Sequence, residues 1–78
     1  MERPDNYESI TKLYIAYEKL TELPFWVSEC KNLEYLNCSW NKIKDLNNLP
    51  IRLKELDCNG NNIRQLDNLP CTLTFIGR

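Results

Sequence analysis

LEYLNCSWNKIKDLNNLPIR (residues 33–52) and LKELDCNGNNIRQLDNLPCT (residues 53–72) align with leucines, cysteine, asparagine, isoleucine and the tripeptide NLP in register. The period is 20 residues. Self-similarity at such a period marks a stacked array, because one short unit cannot bury its apolar face alone. The frame runs backward through ITKLYIAYEKLTELPFWVSECKN (10–32), where Ile10, Leu13, Ile15 and Leu20 keep the apolar positions and three extra residues follow the Leu23-Pro24 step. It runs forward into LTFIGR (73–78), the opening of a fourth copy. The organisation expected is a lead-in over 1–9 and one domain over 10–78, divided as 10–32, 33–52, 53–72 and a partial 73–78, about 3.5 repeats.

Within LEYLNC, Leu36 and Cys38 alternate with Tyr35, Asn37 and Ser39, the period of a strand with one buried face. Stacking then predicts parallel strands near 12–16, 34–38, 54–58 and 74–77. It also predicts one continuous core from Leu13, Ile15, Leu20, Leu23, Leu33, Leu36, Cys38, Ile43, Leu46, Leu49, Leu53, Leu56, Cys58, Ile63, Leu66 and Leu69. After each strand the chain must turn sharply, leaving backbone N–H and C=O groups pointing inward. Asn41 and Asn61 stand there, and a carboxamide carries both donors and an acceptor. A ladder of Asn side chains tying adjacent turns is expected, with Glu18 in the same slot of the first copy. On the return side, KDLNNLPIR and RQLDNLPCT each hold a proline that disfavours a continuing helix, so extended or polyproline-like segments are expected. The longer first copy leaves room for one short helical turn near 24–30, begun by Pro24, with Trp26 and Val27 covering the N-terminal end.

Composition limits the function classes. The chain has 78 residues, 42% hydrophobic and 27% charged, with a net charge of −1. Lysines and arginines are matched by carboxylates, without the basic stripe that phosphate neutralisation needs. No apolar run approaches the ~20 residues that span a bilayer, and MERPDNYES lacks the apolar stretch of a signal peptide. Neither nucleic acid nor membrane is expected as a partner. Met1 is read as the natural start, and the setting as intracellular, in the cytoplasm.

Catalysis and metal binding find little support. There is no histidine to act as base or to complete a mixed metal site, no Gly-rich phosphate loop and no C-x-x-C pair. No catalytic residue, metal or cofactor is expected. Cys38 and Cys58 share a core slot on neighbouring strands ~4.8 Å apart. Their parallel side-chain directions and the intracellular setting favour reduced thiols packed as small hydrophobes over a disulfide. Cys71 falls near Arg52 of the previous copy, a more exposed position, and Cys30 matches no slot of the shorter copies. Lys42, Lys44, Asp45, Arg64 and Asp67 read as a solvated face.

The frame L-x-x-L-x-(L/C)-x-x-N-x-(L/I) resembles that of leucine-rich repeat proteins over residues 10–78. The 20-residue copies with NLP look like the short repeats of bacterial type III effectors. With cysteine in the third apolar slot they are also similar to repeat proteins of giant DNA viruses of the mimivirus type, which would place the chain in a host cytoplasm. The first copy, LTELPFWVSECKNL, is closer to the longer eukaryotic pattern. The resemblance implies an α/β, right-handed solenoid with a parallel sheet on its concave face, and a non-catalytic module that binds a protein partner there.

The outward strand positions are Lys12, Tyr14, Ala16 and Tyr17, then Glu34, Tyr35, Asn37, Ser39 and Trp40, then Lys54, Glu55, Asp57, Asn59 and Gly60, then Thr74, Phe75 and Gly77. Tyr14, Tyr17, Tyr35, Asn37, Trp40 and Asp57 are the candidate partner-binding residues, since exposed aromatics concentrate binding energy. The competing reading of Trp40 is that it folds over the strand-to-turn edge to pack its neighbours. Two further functions stay open. One is a structural homodimer joined through residues 73–78, where Arg78 takes the slot of Ile15, Cys38 and Cys58 and an uncapped edge invites pairing. The other is substrate recognition within a larger ubiquitin-ligase-like effector, which would need a catalytic domain outside this sequence.

Overall fold

Leu13, Leu36 and Leu56 lie in register on adjacent parallel strands, and the fold grows from this row. The computed structural model describes residues 1–64, 69 and 73–77. Four strands, β1 (Lys12–Tyr14), β2 (Tyr35–Asn37), β3 (Glu55–Asp57) and β4 (Thr74–Gly77), form one parallel sheet in the order β1-β2-β3-β4. Each of the first three is shorter than the alternation suggested, because the chain already turns after its third residue. Hydrogen bonding between copies nonetheless continues past the strand ends, from Ile15 N to Asn37 O (2.8 Å), Cys38 N to Asp57 O (2.9 Å) and Tyr17 N to Ser39 O (3.1 Å).

Behind the sheet, Leu23, Leu33, Leu36, Ile43, Leu53, Leu56 and the thiols of Cys30, Cys38 and Cys58 are buried in one cluster. Leu13, Leu20, Leu49, Ile63 and Leu69 pack against it half-buried. Of the other residues named above, Leu66, Asp67, Cys71 and Arg78 lie outside the described residues. On the return side the segment 41–52 carries no helix, as its proline implies, and backbone bonds such as Lys42 N to Leu20 O (2.7 Å) tie it to the preceding copy. Asn48 adds a side-chain stitch, donating from Nδ2 to Leu23 O at 3.2 Å.

The first copy closes the end of the core. Its extra residues form a 3-10 helix, Phe25–Glu29, which begins one residue later than expected. Pro24 itself, with φ −55° and ψ 143°, is still extended and offers its carbonyl to Val27 N at 3.1 Å. Trp26 and Val27 are buried. The preceding segment joins them: Tyr7 and Ile10 pack on the core, Trp26 Nε1 donates to Met1 O at 3.3 Å, and Asn32 Nδ2 donates to Glu8 O at 2.8 Å. Arg3 stands 4.1 Å over the Tyr7 ring and pairs with Glu29 at 2.7 Å, which raises its pKa.

Two outward assignments need correction. Ser39 is buried, because its Oγ donates to Asn37 Oδ1 at 2.6 Å and finds its partner inside the turn. In β4 the register slips: Leu56 faces Phe75 and Asp57 faces Gly77, leaving Ile76 as an extra residue. A one-residue bulge exchanges the two faces of a strand locally. Phe75 therefore turns inward against the core, and Ile76, 49% exposed, points out.

Candidate functional site

The strand face owes its geometry to the turns that follow each strand. Asn41 Oδ1 accepts the backbone N–H groups of Glu18 (2.9 Å) and Leu20 (3.0 Å), while Nδ2 donates to Ile15 O (3.0 Å), Cys38 O (2.9 Å) and Ser39 O (3.3 Å). Asn61 repeats the arrangement one copy on, accepting from Ile43 N (2.9 Å) and donating to Cys38 O and Cys58 O (both 3.0 Å) and Asn59 O (3.3 Å). Glu18, exposed in the equivalent slot, contributes its backbone N–H to the ladder. Each turn is thus held from two copies at once.

The residue before the ladder position takes a left-handed backbone in each of the first three copies: Tyr17 at φ 59°, Trp40 at φ 57° and Gly60 at φ 74°. That shared conformation projects Tyr17 and Trp40 in parallel. Their rings stack with centroids 6.3 Å apart and planes 13° apart, yet they stay 73% and 55% exposed. Trp40 also lies over Gly60, where a Cβ would collide with the indole. Both sequence-level readings of Trp40 therefore describe part of its position: it packs its neighbours and still presents a ring face to solvent.

A second pair lies along the strands. Tyr14 and Tyr35 have centroids 5.4 Å apart, tilted by 51°. Tyr14 shares its register position with Asn37, Asp57 and Gly77 on the following strands. Partial burial, and then the nearby Asp57 carboxylate, push the Tyr35 phenol above its usual range. Asn37 and Asp57 each use Oδ1 to accept the backbone N–H two residues on, from Ser39 (3.0 Å) and Asn59 (3.2 Å). Local turn bonding of this kind is a habit of both residue types. The structure thus gathers Tyr14, Tyr35, Asn37 and Asp57 on one face, with Tyr17 and Trp40 stacked at the strand-end turns.

The family described as Leucine Rich Repeat matches residues 32–51 and 52–75, more than half of the chain. The chain belongs to the leucine-rich repeat family. No curated protein and no solved structure gives a significant match. Leucine-rich repeats generally mediate protein–protein interaction and are typically non-catalytic. The thiols of this leucine-rich repeat protein fit a packing role: burial, then Cys58 and Asp57, push Cys38 up to about 12. Burial, then Glu29, likewise raises Cys30. A thiol kept protonated is a poor nucleophile and a poor metal ligand.

The equivalence of Cys30 and Pro50 was missed in the sequence. Leu33 N bonds to Cys30 O at 3.0 Å and Leu53 N to Pro50 O at 3.2 Å, the same turn one copy apart, and both Cys30 and Pro50 are buried. Counting back three residues from Leu33 and Leu53, past the insertion, would have found it. No described helix is long and apolar enough to cross a membrane.

Proposed function

We propose that this chain is a non-catalytic module that binds a partner protein through its concave strand face, with Tyr14, Tyr17, Tyr35, Asn37, Trp40 and Asp57 in contact. The exposed stack of Tyr17 and Trp40 carries this reading. Two large rings held parallel by fixed turns lose little side-chain freedom on binding, which is what a hot spot requires. Asp57 beside Tyr35 adds a directional charge. The three buried thiols favour an intracellular, cytoplasmic setting. The likeness of the 20-residue copies to effector and viral repeats favours a host cell as that setting.

The test is affinity capture from cell lysate with the native chain and a Tyr17→Ala, Trp40→Ala variant of equal melting temperature. A protein retained by the first and lost by the second supports the reading; identical profiles reject it. Self-association through residues 73–78 is the second reading, and Ile76 favours it, being an exposed apolar side chain on the last strand in the sheet order. Sedimentation at rising concentration separates the two, since a chain that stays monomeric rules out the dimer.

A further inference from the structure

Away from the strand face, the two equivalent turns 30–33 and 50–53 stack and leave a groove of ≈ 530 Å³ between them. Lys31 and Asn32 form one wall, and Leu49, Pro50, Ile51 and Arg52 form the other. Among the described residues Ile51 is the most exposed large hydrophobic side chain, at 86%, and it sits beside buried Pro50 and half-buried Leu49. The repeat frame does not require this. The position of Ile51 is occupied by Lys31 in the copy before and Cys71 in the copy after, and that of Arg52 by Asn32 and Thr72.

Charge identifies the occupant. Neither Lys31 nor Arg52 takes part in an ion pair among the described residues, whereas Lys54, just beyond the groove, is already paired with Glu34 at 3.4 Å. Glu8 also lines the groove and, like the two cations, takes part in no ion pair among the described residues, so the lining carries two positive charges against one negative. Two unpaired cations beside an apolar strip match a ligand that alternates carboxylate and apolar groups.

We propose that this groove is a second docking site, distinct from the strand face, for an acidic peptide segment of a protein. An apolar side chain of the peptide lies on Leu49 and Ile51, and a neighbouring carboxylate is held between Lys31 and Arg52. Asn32 Nδ2 donates to Glu8 O at 2.8 Å, which fixes that wall of the groove.

The test is titration of the isotope-labelled full chain with a synthetic nonapeptide alternating leucine and glutamate, followed by amide chemical shifts. Saturable shifts centred on Lys31, Ile51 and Arg52 are expected, and the leucine–glutamine analogue should bind about tenfold more weakly. Ile51→Ser and Arg52→Glu change exposed side chains, so the fold survives, and each should weaken binding about tenfold. The Tyr17→Ala, Trp40→Ala variant should bind the peptide as the native chain does. No shifts at millimolar peptide, shifts confined to the strand face, or equal binding of a leucine–lysine peptide would overturn the proposal. So would equal shifts at these amides with inorganic phosphate alone, which would reduce the groove to an anion contact.

Discussion

The indole of Trp40 occupies the space that a side chain on Gly60 would need: a Cβ there would lie 2.5 Å from Cδ2 and 2.9 Å from Cζ3 of the ring. Gly60 has φ 74°, but Tyr17 and Trp40 hold nearly the same φ in the copies before it. The backbone alone therefore does not demand glycine at this slot. The ring of the preceding copy does, and glycine in the third copy is what lets Trp40 lie flat.

Gly60→Ala should accordingly cost more in the native chain than without the indole. A left-handed alanine costs about 1 kcal/mol, and displacing the ring adds about 1 kcal/mol or more. In a Trp40→Ala background the second contribution vanishes. Urea unfolding of the four members of this cycle should give a coupling of about 1 kcal/mol. Additive losses would show that the ring moves aside freely.

Asn41 is the most heavily bonded side chain of the ladder, with both amide atoms engaged and the residue buried. Asn41→Ala leaves several buried backbone groups without partners, at about 1–3 kcal/mol each before relaxation. A loss of about 3 kcal/mol is expected, a large share of the stability of a chain this small. Asn41→Asp should be no better. A carboxylate can still accept from Glu18 N and Leu20 N but cannot donate to Ile15 O and Cys38 O. Thermal unfolding of both variants checks this, and an Asp variant within 1 kcal/mol of native would mean that the donor half of the amide is dispensable.

The ladder was legible in the sequence because spacing alone puts Asn41 and Asn61 at the turn and a buried carboxamide has few other uses. Most of the strand-face rows were legible for the same reason, since strand alternation fixes which side chains share a face. What escaped the pattern depends on contacts between particular side chains. Ser39 turned inward because Asn37 gave its hydroxyl a partner two residues away. The clamp of Arg3 on Tyr7 and Glu29 spans segments far apart in sequence, with no period to reveal it. The Tyr17–Trp40 slot was visible as a register, but that Gly60 completes it needed the ring orientation.

The slipped register of β4 has a direct consequence. Phe75 packs inward opposite Leu56 and Ile76 faces out. Phe75→Ala should therefore destabilise by about 1–2 kcal/mol, less than a fully buried phenylalanine would, and Ile76→Ala by less than about 0.5 kcal/mol. The regular frame, with Phe75 outward, predicts the reverse order. Chemical denaturation of the two variants side by side decides which register the strand holds.

Cys38 gives the fold a sensitivity to alkali. Its thiol is held up to about 12 in the folded chain, against an ordinary value of 9.0, with burial the main cause. Between those values the unfolded chain has lost the proton and the folded chain still holds it, so ionisation pulls toward unfolding. The contribution is intact below pH ~9 and falls by up to ~1.4 kcal/mol per pH unit as pH rises toward 12. Cys38→Ala lacks this term. The stability gap between native and variant should therefore narrow from pH 8.5 to pH 10.5 in equilibrium unfolding. The same burial makes the thiol inert: in a Cys71→Ser background, labelling of Cys38 at pH 8 should proceed at the rate of opening of the fold and accelerate sharply in denaturant. Fast labelling of the native chain, or a gap that stays constant with pH, would mean that water reaches the thiol and that Cys38 is no part of the closed core.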